Sequence, residues 1–233
     1  MKILLLGGTS EARALAPQLL SEGHQVISSL AGRVDSPLLP DGEVRIGGFG
    51  GVSGLASYLR QNQIELVIDA THPFAEQISA NAVLACEQTK TQLVRRQRPS
   101  WIQRPDSTNW TWVSDHDEAF RACLASGAKS ILLTVGRQPL PHYLDLDAEK
   151  VIARVADLGR VSGLPTHWKV IEDRGPFTIE KELKLFSDKQ IKLLVTKDSG
   201  SAKTAAKLDA AAKLGVQVIM VARSILPDLA RPN

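Results

Sequence analysis

Cysteine is scarce in this 233-residue chain: there are two, Cys86 and Cys123, both inside segments that read as helix. That excludes a disulfide-stapled scaffold and leaves two buried free thiols in a reducing compartment as the expectation. No spacing of Cys, His or acidic residues resembles a metal-ligand pair, so no metal is expected. No apolar run approaches the roughly 20 residues that cross a bilayer. Lys2 is followed by only four apolar residues before Gly7, so no signal peptide is expected either. Short repeats and low-complexity tracts are absent, and a net charge of +3 is mild. These absences point to a cytoplasmic enzyme or binding protein with no membrane partner.

What is present is an alternation of strand and helix signals from end to end. Residues 2–6, 26–30, 44–46, 66–68 and 92–95 read as strands, with one-faced helices over 10–22, 55–59 and 75–88 between them. The stretch 97–110, with Pro99, Pro105, Trp101 and Trp110, breaks the rhythm as a long loop or crossover. Strand 111–113 and helix 117–125 follow. A second series of strands is expected at 130–135, 150–155, 191–195 and 216–221, with helices at 177–186 and 203–214. The fold class is therefore α/β: two Rossmann-like parallel-sheet domains, 1–127 and 128–233, with a cleft between them.

Five constellations can carry chemistry. Gly7-Gly8-Thr9-Ser10-Glu11-Ala12-Arg13 follows the first strand and opens a helix. It is a variant of the G-x-G-x-x-G phosphate turn, with Thr9 in the second glycine position and Ala12 in the third. Thr9 or Ser10 can cap the helix and offer a hydroxyl to a phosphate. At the end of the second strand no acid stands where one would hold the ribose of NAD. Arg33 stands there instead and suits a 2′-phosphate, which favours NADPH and leaves NADH as the alternative. The glycines of Arg45-Ile46-Gly47-Gly48-Phe49-Gly50-Gly51 suit a backbone that approaches a ligand or a flexible connector. Asp69-Ala70-Thr71-His72-Pro73-Phe74-Ala75 ends the fourth strand, with Pro73 expected in the first helical turn and Thr71 and His72 at the helix N-terminus. Thr196-Lys197-Asp198-Ser199-Gly200-Ser201 repeats the strand–turn–helix layout, with Thr134-Val135-Gly136-Arg137 and Arg174-Gly175-Pro176-Phe177 as companion loops. The cluster Arg95, Arg96, Arg98 and Arg104 around Trp101 suits an acidic small molecule, a nucleic acid or plain solvent.

Gly-Gly-Thr-Ser-Glu-Ala-Arg at 7–13, Asp-Ala-Thr-His-Pro-Phe-Ala at 69–75, Arg-Gly-Pro-Phe at 174–177, Val-Thr-Lys-Asp-Ser-Gly at 195–200 and Lys-Leu-Asp-Ala-Ala at 207–211 occur in this order. The ordered set, spanning nearly the whole chain, resembles the precorrin-6A and cobalt-precorrin-6A reductases of cobalamin biosynthesis. Ser201, where the family usually has a second glycine, and Ser224, where a proline commonly follows the arginine, depart from its pattern. The resemblance implies NAD(P)H-dependent reduction of one ring double bond of precorrin-6A to give precorrin-6B. Gly7, Gly8, Thr9, Ser10, Glu11, Arg13, Arg33, Gly47, Gly48, Thr71 and His72 would then serve the cofactor. Arg95, Arg98, Arg137, Lys197, Ser199 and Gly200 would meet the carboxylates of a tetrapyrrole polycarboxylate substrate, and Trp101 its ring face, with no nucleic acid as partner. His72, Lys197 and Asp198 are the candidate proton donors. Rival readings are another Rossmann NADP-dependent oxidoreductase or epimerase, or a non-catalytic NADP-sensing regulatory protein. The Tyr-x-x-x-Lys pair usual in the first is absent, since neither Tyr58 nor Tyr143 has a lysine four residues on; the second has no use for a basic second pocket.

Overall fold

A computed structural model describes residues 1–32, 38–159 and 163–224. It divides into two compact units, one formed by residues 1–98 together with Ser224 and the other by Pro99–Arg223.

The first unit is a five-stranded, wholly parallel sheet. Its elements run β1 (Lys2–Leu6), α1 (Ser10–Ser21), β2 (Gln25–Leu30), β3 (Glu43–Ile46), α2 (Gly51–Gln61), β4 (Leu66–Asp69), α3 (Glu76–Thr89) and β5 (Gln92–Arg95). The strand order is β3-β2-β1-β4-β5. β1 is central because both of its faces are apolar. Leu4 and Leu6 pack with Leu55, Leu59, Ala82 and Cys86 of α2 and α3. Ile3 and Leu5 pack with Ala12, Ala16 and Leu19 of α1. Side chains alternate across a strand, so one run of four apolar residues feeds two cores, each buried side chain worth about 2 kcal/mol. The order reverses between β1 and β4, and the crevice at their carboxyl ends is where open α/β sheets bind ligands.

The second unit is a six-stranded parallel sheet. It comprises β6 (Thr111–Val113), α4 (His116–Ser126), β7 (Ser130–Thr134), β8 (Lys150–Val155), β9 (Lys169–Glu172), α5 (Ile179–Lys189), β10 (Leu193–Lys197), α6 (Ala206–Leu214) and β11 (Gln217–Val221). The order β6-β11-β10-β7-β8-β9 reverses between β7 and β10. Leu132, Ile152, Leu194, Val218 and Met220 bury one sheet face against Phe186, Leu208 and Ala211.

Several expectations are corrected. The division lies at residue 98, not near 127, because β6 pairs with β11 of the second sheet through Thr111, Trp112 and Val113. Residues 97–110 are not a bare loop: they hold two 3-10 turns, Trp101–Gln103 and Pro105–Asn109. β9 was not anticipated, since an edge strand of Lys-Val-Ile-Glu carries little apolar signal. β10 runs two residues further than expected, so Lys197 closes the strand. Pro73 lies in a turn and α3 starts at Glu76, so Thr71 and His72 precede the helix by a turn of chain. Cys86 and Cys123 are buried free thiols, and burial pushes both up to about 12. Among the described residues no helix is long and apolar enough to cross a membrane.

Candidate functional site

In the first unit the turn after β1 has the geometry of a phosphate cradle. A Cβ on Gly7 would sit 3.4 Å from the Ala12 Cβ and 3.6 Å from Leu30, so strand, turn and α1 meet in contact. Gly8 has φ +100° and nothing within 4 Å of the place a side chain would occupy. That open space above the first residues of a helix is what a close-approaching phosphate requires. Thr9 caps α1: its hydroxyl accepts from the Ala12 amide at 3.1 Å and donates to the Ala70 carbonyl at 2.8 Å. The Thr9 hydroxyl is thereby committed, and ties the β1 turn to the β4 turn. Ser10 is left as the hydroxyl near the surface, donating to Glu11 at 3.0 Å. Glu11 is not a free cofactor ligand and Arg98 not a free substrate ligand: they pair with each other. Burial opposes charge on Glu11, but the Arg98 guanidinium overrides it and holds the carboxyl below its usual value. The half-buried Arg13 guanidinium makes no hydrogen bond or ion pair among the described residues.

The end of β4 is organised by an acid whose role the sequence did not disclose. Asp69, 3% exposed, accepts from the Thr71 amide at 3.1 Å, the Thr71 hydroxyl at 2.7 Å and the Ser79 hydroxyl at 2.6 Å. Arg95 Nε lies 3.5 Å from the same carboxylate. Arg95 is therefore the counter-charge of Asp69 rather than an open carboxylate receptor. His72 Nδ1 accepts from the Phe74 amide at 3.2 Å, which places the proton of the neutral ring on Nε2.

The glycine loop after β3 is held, not slack. Arg45 donates to the carbonyls of Gly47 at 2.6 Å and Gly48 at 2.5 Å, and to Ser29 at 3.2 Å, with its guanidinium 3.7 Å from the Phe49 ring centre. Gly47 and Gly48 have open space where a Cβ would stand. Arg33 lies outside the described residues.

In the second unit the β7 and β10 turns meet at the switch point, as the pairing of Thr134 with Thr196 requires. Lys197 Nζ lies 3.6 Å from where a Gly136 side chain would begin. Burial pushes the Lys197 ammonium down to about 8. Ser199 and Gly200 form the following turn: the Ser199 hydroxyl is 3.3 Å from that of Thr204, and Gly200 has φ +64°. Arg137 Nη1 stands 3.6 Å from Asp157.

Two candidates are reassigned. Asp198, 2% exposed, accepts from the Ser100 hydroxyl at 2.6 Å and the Trp101 amide at 2.8 Å, and pairs with Arg223 Nε at 3.0 Å. These contacts give the carboxylate the place of a clamp between the β10 turn, the Ser100–Trp101 segment and Arg223. Trp101, 6% exposed, belongs to the apolar core of the second sheet, with the Lys207 ammonium 5.2 Å from its ring, so it has no face for a substrate. Sequence reasoning also missed Arg154, which pairs with Glu182 in the interior and stacks 4.0 Å over Phe177.

The precorrin-6x reductase CbiJ/CobK family model matches residues 2–232. The precorrin-6A reductase of Rhodococcus erythropolis is 44% identical over 227 residues, covering 97% of this chain and 90% of that protein. The cobalt-precorrin-6A reductase of Priestia megaterium is 33% identical over 236 residues, covering 95% and 90%. A solved structure described as CobK precorrin-6A reductase superposes with a TM-score of 0.90 at 38% identity, covering 99% of this chain and 90% of that one.

Proposed function

Because the chain belongs to the precorrin-6x reductase CbiJ/CobK family, we propose that it reduces one ring double bond of precorrin-6A, or of its cobalt complex, to the precorrin-6B level in cobalamin biosynthesis, with NADPH as reductant. The observation that carries the cofactor half of this reading is the β1 turn: Gly7 in contact with Ala12, and Gly8 at φ +100° with open space above it. The amides of Gly8 to Ser10 and the positive end of α1 would hold the pyrophosphate, and Arg13 would add its charge. Arg33 is the residue proposed for the 2′-phosphate, on its place after β2 alone. Bound NADPH supplies a hydride; the remaining work falls to the chain's own residues.

Asp69 fixes Thr71 and the start of the His72 turn, and the Arg98–Glu11 pair removes a bare acid from the phosphate end. In the second unit Lys197 is the group proposed to give up a proton: an ammonium pushed to about 8 still carries it at neutral pH yet releases it more readily than a solvated lysine. Arg137, Ser199 and Gly200 remain the proposed carboxylate contacts. On this reading Arg95, Arg98 and Trp101 leave the proposed substrate contacts and Asp198 leaves the candidate proton donors.

Anaerobic incubation with NADPH and precorrin-6A, and separately with the cobalt complex, tests this. Loss of reduced-nicotinamide absorbance in step with a changed corrinoid spectrum is expected. Absence of both changes with either substrate overturns the reading. Arg33→Ala should weaken NADPH binding by about tenfold or more and leave NADH nearly unaffected, as loss of one charge-assisted phosphate contact implies; equal weakening removes Arg33 from the NADPH assignment.

A further inference from the structure

His116 is the first residue of α4, and its ring lies against the 3-10 turn Leu140–Tyr143 that follows β7. His116 Nδ1 is 2.9 Å from the Tyr143 hydroxyl oxygen, and the two rings meet edge-on with centroids 5.9 Å apart. Tyr143 is 0% exposed, and His116 is the one hydrogen-bond partner its hydroxyl has among the described residues. A buried hydroxyl proton aimed anywhere else would lack an acceptor, at a cost of about 1–3 kcal/mol. The Tyr143 hydroxyl therefore donates and His116 Nδ1 accepts. In the neutral ring the proton then sits on Nε2, which makes no hydrogen bond among the described residues. His116 is only half-buried, so this N–H is open to a ligand.

The surroundings keep the ring neutral. Burial first, then the charges of Lys197 and His142, push His116 down to about 4, against the opposing pull of Asp115 and Asp117. The His142 ring lies 5.5 Å away, itself paired with Asp117. Burial, with Cys123, Asp117 and Asp115 adding to it, holds the Tyr143 phenol well above its ordinary value, so it keeps the proton it donates. The Lys197 ammonium acts on this ring through space, so an acceptor bound at Nε2–H would sit in a positive field.

We propose that His116, with its tautomer set by Tyr143, is a positioning residue whose Nε2–H holds a carboxylate of the substrate beside Lys197. The identity of the substrate rests on the reductase reading; the carboxylate-binding role does not.

Long-range 1H–15N NMR of histidine-labelled protein, with the His116 signal assigned by its loss in His116→Gln, reads the tautomer directly. The Nε2–H form is expected from pH 6 to 8 in the wild type, and a mixture of tautomers in Tyr143→Phe. Titration with uroporphyrin, a redox-inert tetrapyrrole octacarboxylate, should move the His116 Nε2 signal, whereas NADPH should not. In turnover assays His116→Leu should raise KM for precorrin-6A about tenfold, the worth of one hydrogen bond to a charged group, with kcat within about twofold and KM for NADPH unchanged. His116→Gln should recover part of that loss. A ring protonated on Nδ1, or a Nε2 signal indifferent to uroporphyrin, overturns the proposal. If the wild type fails to reduce precorrin-6A while uroporphyrin still shifts Nε2, the reductase reading falls and the carboxylate site stands.

Discussion

Replacing Asp198 by alanine separates two uses of the same carboxylate. As a proton donor, its loss would stop turnover and leave the fold alone. As a clamp, its loss removes the acceptor of the Ser100 hydroxyl and the Trp101 amide and takes the counter-charge from Arg223, whose side chain is 14% exposed and keeps its bonds to the Asp198 and Pro99 carbonyls. Removing one partner of a buried ion pair costs about 3–5 kcal/mol, because the other charge remains desolvated. For a chain of this size 1 kcal/mol shifts the melting temperature by about 2–4 °C, so Asp198→Ala should melt about 10 °C below the wild type. The urea midpoint should fall in the same sense. Asp198→Ala combined with Arg223→Met should be less destabilised than the sum of the two single variants, by about 2 kcal/mol, because the two charges neutralise each other in the wild type and neither is left without its counter-charge in the double variant. Protein that remains folded well below its midpoint should still turn over. An Asp198→Ala variant with wild-type Tm and urea midpoint but no turnover would refute the clamp and return Asp198 to the chemistry.

Thr9→Val removes the cap of α1 and the bond to the Ala70 carbonyl; a loss of about 2 kcal/mol in urea unfolding is expected, together with weaker NADPH binding by calorimetry. Lys197→Met should stabilise the protein while abolishing or greatly slowing turnover. The folded-state value of about 8 lies below the ordinary 10.5, so the folded protein carries an unfavourable buried charge in full below pH 8 and is relieved of it as pH rises toward 10.5. The gain on substitution should thus be about 3 kcal/mol at pH 7 and vanish near pH 11, read as the difference between the two stability–pH curves; a gain independent of pH would show that the ammonium is solvated.

The fold was legible because its signals are local and repeated. Four apolar residues running into Gly7-Gly8, then Ala12, Ala16 and Leu19 at helical spacing, specify strand, turn and helix without reference to anything distant. The division at residue 98 was not legible, because only the pairing of β6 with β11, about a hundred residues later, assigns that segment to the second sheet. The sites were half legible for the same reason. Backbone turns are encoded where they stand, and Gly7, Gly8 and Gly136 were found by reading along the chain. Side-chain roles depend on partners remote in sequence: Arg98 with Glu11, Ser100 with Asp198, Tyr143 with His116. Arg95, Trp101 and Asp198 have the residue types that bind or catalyse, and their contacts in the structure, which no local pattern reveals, favour a structural use.

Those contacts share a logic. Each acid beside a proposed anion-binding turn is met by an arginine: Glu11, two residues after Thr9, by Arg98; Asp69, two residues before Thr71, by Arg95; Asp198, next to Lys197, by Arg223. The three acids accept hydrogen bonds at the turns: Glu11 from the Ser10 hydroxyl, Asp69 from Thr71 and Ser79, and Asp198 from Ser100 and the Trp101 amide. Left bare, each would repel a phosphate or carboxylate at about 4 Å by roughly 1–4 kcal/mol, enough to cancel what a turn of main-chain amides contributes. Pairing removes that repulsion without removing the hydrogen bonds. Under the proposed function, the arginines at these three positions would serve anion binding without themselves contacting the anion. In a chain whose formal charge is only +3, the proposed binding of a dinucleotide and a polycarboxylate would then rest on local neutrality at each turn, which leaves the main chain available, rather than on an overall basic surface.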